Sequence, residues 1–263
     1  MEILSAGGEA VEEREGLKKR FKELADKSWQ NNVYLFTGFL GLSELSCFYE
    51  MERELSFVPA EVFGGYEGAE RVMVRFGSAE DFGYEEEFPI VCLRISPLMQ
   101  KFADDLGHRD ILGALMNLGI DRSTLGDIMI KENQGYVFCM RSIAPFIVEN
   151  LGKVRHTSVL CEQTQEAPSV REEDLAEMTI QVSSERIDGV MSKVYKLSRS
   201  DSAELFRQKK VFVNGRLCEN NSQILKAQDK VSVRGYGRFL YKERQGVSKK
   251  GKLNVRVLVY GRK

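Results

Sequence analysis

Cations that can meet phosphate are gathered, with small polar residues between them, in the last third of the 263-residue sequence. They are Arg186, Lys193, Arg199, Arg207, Lys209, Lys210, Arg216, Arg234, Arg238, Lys249 and Lys250. Ser198 and Ser200 flank Arg199, and Asn214-Gly215 precedes Arg216. A guanidinium group presents a planar fork that can hold two phosphate oxygens at once, which an ammonium group cannot reproduce. Arg199 and Arg216 suit such forked contacts. Ser198, Ser200 and Asn214 can donate to phosphate or to a 2′-hydroxyl, the group that distinguishes RNA from DNA.

The formal net charge of −1, from 38 Lys+Arg and 39 Asp+Glu, conceals this grouping. Val182 to Lys263 carries 20 Lys+Arg against 7 Asp+Glu, a net +13. Met1 to Gln181 carries 18 against 32, a net −14. Segregation of this size fits a module seated on polyphosphate while the rest of the chain stays off it. A solvated basic surface without a partner is the plainer alternative, and solubility is the plainer account of the acids.

A second constellation, His108-Arg109-Asp110, unites an acid–base candidate, a cation and a carboxylate. Catalysis there needs a nucleophile or a metal cluster, and neither lies nearby in sequence. A helix start that turns His108 and Arg109 toward RNA uses the same residues. His156, beside Lys153 and Arg155, adds to a basic edge or simply precedes a strand. Cys47, Cys92, Cys139, Cys161 and Cys218 are odd in number and never spaced CxxC, so they read as reduced, buried thiols rather than a disulfide framework or a zinc site. Gly235 and Gly237 do not complete a dinucleotide fingerprint. The expectation is no metal and no cofactor.

The composition, 43% hydrophobic, 29% charged and 10% aromatic, is that of folded globular matter and excludes collagen, wholesale disorder and a membrane bundle. Residues 9–27 alternate acids and bases with no apolar signal region, and Val33 to Leu42 is too short to span a bilayer. A cytoplasmic protein with no membrane partner follows as the expectation.

The elements that position the cations can be read from periodicity. Leu17, Phe21 and Leu24 give an amphipathic helix over Val11–Leu24, and Ser43–Leu55 reads as a second helix. Phe63-Gly64-Gly65-Tyr66 breaks it, Arg71–Phe76 is strand-like, and Glu80–Glu87 is an acidic connector. Then come a strand (Pro89–Ile95), a helix (Asp104–Leu118) and two strands (Gly126–Ile130, Tyr136–Met140) about the turn Glu132-Asn133-Gln134-Gly135. A helix (Ile143–Leu151) and a strand (Thr157–Cys161) complete β-α-β-β-α-β, the split βαβ order also used by RNA-recognition-motif domains. Tyr136 and Phe138 alternate on one strand and serve either base stacking or the core. Further on, Ile187, Val190, Met191 and Val194 mark a helix, and Asp201 with Glu204 has capping-box spacing for another. Val211–Val213, the turn Asn214-Gly215 and Arg216–Cys218 form a hairpin, with a further strand at Val231–Arg234. The expected fold class is α+β in three domains: 1–82 mainly helical, 83–163 RNA-recognition-like (ferredoxin-like), a linker at 164–175, and a basic module at 176–263.

In that basic module, Arg186-Ile187-Asp188, Leu197-Ser198-Arg199-Ser200 with Ala203, Val211-x-Val213-Asn214-Gly215-Arg216 and Asp229-Lys230-Val231-Ser232-Val233 resemble, in order and spacing, the RNA-binding module named for ribosomal protein S-four, also called the alpha-L motif. Ile187 stands where that module commonly has leucine, a change between buried aliphatics. Gly64-Gly65-Tyr66, Ala69-Glu70-Arg71, Gly107–Ala114, Leu118-Gly119-Ile120, Gly126-Asp127-Ile128, Gly237-Arg238-Phe239 and Lys249-Lys250-Gly251 extend the resemblance to the YlmH group of bacterial RNA-binding proteins. The resemblance implies a bacterial ribosome-associated factor that acts on large subunits with obstructed peptidyl-tRNA during quality control; the expectation is a non-enzymatic protein, monomeric when free, that binds ribosomal RNA and tRNA. Similar proteins are also linked to cell division and, in plastids, to photosystem biogenesis.

The same module is appended to enzymes. A pseudouridine synthase needs an aspartate in a Gly-Arg-Leu-Asp context, and here Gly215-Arg216-Leu217 is followed by Cys218. A tyrosyl-tRNA synthetase needs adenylate signatures, which Leu197–Ser200 only faintly echoes. A DNA-binding helix-turn-helix could use the same basic helices, and the hairpin directly after them speaks against it. If about six cations engage phosphate, counterion release gives a log–log salt slope of about −4 to −5 for binding to structured RNA. Titration of ribosomal RNA at several salt concentrations measures it, and a slope near zero contradicts the phosphate reading.

Overall fold

The computed structural model describes residues 3–168, 172 and 175–261. The chain divides into two compact units, Met1–Ser169 and Val170–Lys263. Of the linker expected at 164–175, Ser169, Val170, Arg171, Glu173 and Asp174 lie outside the described residues.

The first unit opens with α1 (Ile3–Asn31), longer than the span 11–24 that periodicity marks. Its later turns carry an apolar stripe: Phe21, Leu24 and Ala25 are buried with Leu45 and Phe48 of α2 (Leu42–Glu50). β1 (Leu35–Phe36), β2 (Ala60–Phe63) and β3 (Met73–Phe76) make an antiparallel sheet in the order β1-β3-β2. α2 ends five residues before Leu55, yet Leu55 and Val58 remain buried in the turns that follow. The connector expected at 80–87 begins instead as a short helix, α3 (Ala79–Phe82), because the Ser78 hydroxyl accepts the Asp81 N–H at 3.2 Å.

Next in the chain come β4 (Ile90–Pro97), α4 (His108–Asn117), β5 (Leu125–Lys131), β6 (Gln134–Met140), α5 (Ala144–Asn150), β7 (Lys153–Val154) and β8 (Thr157–Thr164). The sheet order β5-β6-β4-β8-β7, antiparallel throughout, is the split βαβ arrangement with one short strand added at an edge. The β5–β6 turn is tighter than the tetrapeptide read from sequence. Only Glu132 and Asn133 leave the ladder, with φ of 52° and 58°, and Gln134-Gly135 already pairs in β6. One sheet face packs Leu93, Ile95, Val137 and Cys139 against Ile111 and Leu115 of α4 and Ile147 of α5.

The other sheet face is closed by the preceding part of the chain. Phe39 and Met73 are buried there with Cys92 and Phe138, and Tyr66 stacks on Phe138 with centroids 5.0 Å apart. Phe138 is 2% exposed, so it is core and not a platform for a base. Tyr136 is half-buried, and its hydroxyl donates to Gln134 Oε1 at 3.0 Å. Gly65, at φ 97°, leaves room for that ring: a Cβ there would lie 2.3 Å from Phe138 Cδ1.

A carboxylate clasps the two sheets. Asp127 Oδ2 accepts the Tyr66 hydroxyl and the Glu70 N–H, each at 2.7 Å, and Oδ1 accepts the Arg71 N–H at 3.0 Å. The Arg71 guanidinium then reaches the carbonyls of Leu125 and Phe39 at 2.9 Å and of Arg122 at 3.0 Å. This diversion is why the strand expected at 71–76 starts only at Met73. The motifs Gly64-Gly65-Tyr66, Ala69-Glu70-Arg71 and Gly126-Asp127 thus meet at one point.

The second unit comprises β9 (Ala176–Val182), α6 (Ile187–Tyr195), α7 (Arg199–Arg207), β10 (Val211–Val213), β11 (Arg216–Leu217), β12 (Lys230–Val233), β13 (Gly237–Val247) and β14 (Leu253–Val259). Its antiparallel sheet runs β11-β10-β12-β13-β14-β9. β9, β13 and β14 are additions to the elements read from sequence. Alternating Val255, Val257 and Val259 face the same core as Ile187, Val190, Met191 and Val194 of α6.

Removing the Asp127 carboxylate leaves two backbone N–H groups and a hydroxyl without their charged acceptor. Asp127→Ala is expected to destabilise the first unit by about 3 kcal/mol, and Asp127→Asn by less. Urea unfolding followed by fluorescence of Trp29, the single tryptophan, reads that unit alone; an unshifted Asp127→Ala midpoint would show that the clasp carries no stability.

Candidate nucleic-acid interface

In α6 the apolar residues Ile187, Val190, Met191 and Val194 recur on one face and are buried, which turns Asp188, Ser192 and Lys193 toward the other side. Lys196 adopts a left-handed conformation, φ 56°, and reverses the chain. α7 then starts at Arg199 and not at Asp201. The reason is Ser198, whose hydroxyl accepts the Asp201 N–H at 3.1 Å and donates to Asp201 Oδ2 at 2.7 Å. Asp201 is therefore the partner of the cap, and Arg199 occupies the first helical position. Ser202, buried at the crossing, donates to the Asp188 carbonyl at 3.3 Å and ties the two helices together.

Between these helices, the end of β9 and the β13–β14 turn lies a groove of about 560 Å³. Arg186, Lys193, Arg199 and Lys252 line it, with Ser183 and Asn221 among the neutral groups. Arg186 is already neutralised: its Nη2 and Nε donate to Asp188 Oδ2 and Oδ1 at 2.7 and 3.2 Å, which raises its pKa. Among the described residues, Lys193, Arg199 and Lys252 have no acid within ion-pair distance. Three positive charges consequently face one open groove, beside the N-terminus of α7, whose own dipole favours an anion.

Of the residues marked from sequence, the groove brings Arg186, Lys193 and Arg199 together. Lys249 and Lys250 are exposed in the turn that also presents Lys252, where the Ser248 N–H donates to the Lys252 carbonyl at 2.7 Å. Sequence reasoning passed over Lys252, although it continues the run Lys249-Lys250-Gly251. Ser198 is spent on the helix cap, and Ser200 lies 2.8 Å from its hydroxyl.

The remaining marked residues lie elsewhere on the unit. Arg207 pairs with Glu204 at 2.9 Å and Lys209 with Glu219 at 3.4 Å, while Lys210 is half-buried. Asn214 and Gly215, at φ 51° and 78°, form the two-residue turn that puts Arg216 at the start of β11. The Asn214 amide locks that turn, donating to Asp229 Oδ1 at 2.8 Å and accepting the Lys230 N–H at 2.9 Å. Arg234 lies over the Phe212 ring at 5.6 Å, and Arg238 over Tyr260 at 3.9 Å.

His108 and Arg109 belong to the first unit, at the start of α4. Asp110 Oδ2 accepts the Gly107 N–H at 3.0 Å, so this carboxylate serves the helix start. His108 has its pKa lowered, first by the protein crowding its ring and then by Arg122 and Arg109, with Asp127 opposing. A neutral imidazole adds no charge to an RNA-facing surface at neutral pH. The five cysteines are free and buried, and burial pushes the thiols of Cys92, Cys139 and Cys161 up to about 12, which leaves them without nucleophilic thiolate. No helix among the described residues is long and apolar enough to cross a membrane.

Because the folded His108 binds its proton less readily than the unfolded one, stability of the first unit falls as pH drops through about 6.5, and the loss stops growing once the folded imidazole also protonates. His108→Gln should flatten this fall. Urea midpoints from Trp29 fluorescence at about pH 7.5 and about pH 5.5 measure it; identical pH dependence in variant and parent would clear His108 as the source.

Comparison with known proteins adds three findings. The family model described as "Putative RNA-binding domain in YlmH" matches residues 84–167. The ribosome-associated protein quality control protein P2 of Bacillus subtilis (strain 168) is 29% identical over 199 residues, spanning 73% of this chain and 74% of that protein. A solved structure, the cell division protein ylmH from Streptococcus pneumoniae, aligns with a TM-score of 0.47 at 20% identity, covering 58% of this chain and 91% of that one. Residues 84–167 thus match the model of a YlmH-type domain, and the chain as a whole is similar in sequence to the Bacillus subtilis quality control protein.

Proposed function

We propose that this chain is a non-catalytic RNA-binding protein that acts on the ribosome. The carrying observation is the groove in which Lys193, Arg199 and Lys252 stand, among the described residues, without acidic partners. Phosphates of a folded RNA supply the missing anions, and Ser183 and Asn221 supply neutral groups that suit a 2′-hydroxyl. The relative's designation as a ribosome-associated quality control protein supports ribosomal RNA as the partner. On this reading the target is the large subunit with obstructed peptidyl-tRNA, tRNA is a second contact, and the place of action is the cytoplasm. The chain works as three sections, 1–82, 83–163 and 176–263, joined by 164–175. The basic section grips and the acidic first section is repelled from the same RNA. Commitment of Asp110 to a helix start and of the thiols to the core supports a binding role over a catalytic one.

Lys193→Ala with Arg199→Ala and Lys252→Ala tests this directly. Each phosphate contact removed should make the log–log salt slope less negative by about 1, so the triple variant loses about 3 units of slope. Co-sedimentation with purified large ribosomal subunits should fall to background while the thermal midpoint is kept. Sedimentation equal to the parent would overturn the assignment of the groove, and conversion of any nucleotide to a new product would overturn the non-catalytic reading.

A further inference from the structure

We propose that the first unit holds its own RNA-phosphate site, in the groove between α4 and the segment running from α5 through the β7–β8 turn, and that its central sheet takes no part in base stacking. The proposal rests on the RNA-binding reading above and assigns the face through which residues 84–167 act.

The first argument is what the fold closes. A four-stranded sheet of this topology can bind RNA by stacking bases on aromatic side chains of its open face. Here that face is filled by Phe39, Met73 and Tyr66 of the same unit, and Phe138 is core. An RNA ligand of this section must therefore be met elsewhere.

The second argument is what the fold leaves open. A groove of about 720 Å³ is lined by Arg109, Asp110, Asn117, Asn150, Lys153 and Arg155, among others. Three cations stand against one carboxylate in a unit that is acidic as a whole. Among the described residues, Arg109 and Lys153 have no acid within ion-pair distance. Arg155 approaches Asp110 only to 3.8 Å, so its guanidinium N–H groups remain able to serve another acceptor. Asn117 adds a neutral amide of the kind that meets a 2′-hydroxyl.

The third argument is where Arg155 is held. Its φ of 54° is left-handed, which costs a non-glycine residue on the order of 1 kcal/mol, and asparagine or glycine would satisfy the turn more cheaply. Asp104 fixes that turn: its Oδ2 accepts the His156 N–H and the Thr157 hydroxyl, each at 3.3 Å, and its own N–H donates to Thr157 Oγ1 at 2.8 Å. The result is a cation anchored at the lip of the groove. Arg109 in the first turn of α4 and Lys153 at the head of β7 lie along the same groove.

The test uses the full chain and purified large-subunit ribosomal RNA, with the combined variant Arg109→Gln, Lys153→Gln and Arg155→Gln. Affinity at low salt should fall at least about fivefold, and the log–log salt slope should become less negative by about 2 to 3. Ultraviolet crosslinking of the parent complex, read by mass spectrometry, should place adducts on peptides containing the first turn of α4 and residues 150–157, and none on Tyr136 or Phe138. Parent-like affinity and slope in the variant, or adducts on the sheet aromatics, overturns the groove while leaving the RNA-binding reading intact. Failure of the parent itself to bind ribosomal RNA overturns both. If the variant unfolds, the adduct map of the parent decides.

Discussion

Like charges fixed on one rigid face repel, and a small unit can hold them there only if they stay wet and the core beneath them is secure. In the second unit that balance sets the design. Lys193, Arg199 and Lys252 converge on one groove, with Asp188 already neutralised by Arg186. Beneath them Ile187, Val190, Met191 and Val194 are fully buried against the sheet, and burying an aliphatic side chain of this size contributes about 1.5–3 kcal/mol each. Repulsion across water between surface charges is of order 1 kcal/mol per close pair, so the core outweighs it. The charge that remains uncompensated is then available to an external polyanion.

The first unit is organised by a different constraint. Asp127 joins two sheets by accepting a hydroxyl and two backbone N–H groups from a segment nearly sixty residues earlier, and Arg71 returns the link to three carbonyls. This clasp covers the sheet face that would otherwise present Phe138. Two very different surfaces result: a sheet sealed by its own neighbour, and a basic groove on the side of α4 and α5. The glycines of Gly64-Gly65-Tyr66 and Gly126-Asp127 here serve packing. Gly65 is where it is because any Cβ would strike Phe138.

Much of this was legible in the sequence because it depends on local periodicity. The β-α-β-β-α-β order follows from alternating strands and the stripe Ile111, Leu112, Leu115 and Leu118, and the Asn214-Gly215 turn follows from its left-handed backbone. Arg186, Lys193 and Arg199 were legible as neighbours because helical phase puts them off the apolar face of α6 or at the start of α7. Lys252 was not, since it reaches the groove only through the pairing of β14 with β9, some seventy residues apart in sequence. The role of Asp127 was hidden for the same reason, as all its partners are distant. The cap of α7 was misplaced by three residues because Asp201 and Ser198 both carry cap chemistry, and only geometry shows which accepts the backbone N–H.

The account's central claim is that Lys193, Arg199 and Lys252 are built for structured RNA. One competition titration tests it most directly: the full chain bound to labelled large-subunit ribosomal RNA, challenged in parallel with unlabelled ribosomal RNA and with duplex DNA at equal phosphate concentration. The account requires ribosomal RNA to displace the label at much lower concentration than DNA. Equal or better displacement by DNA would contradict it.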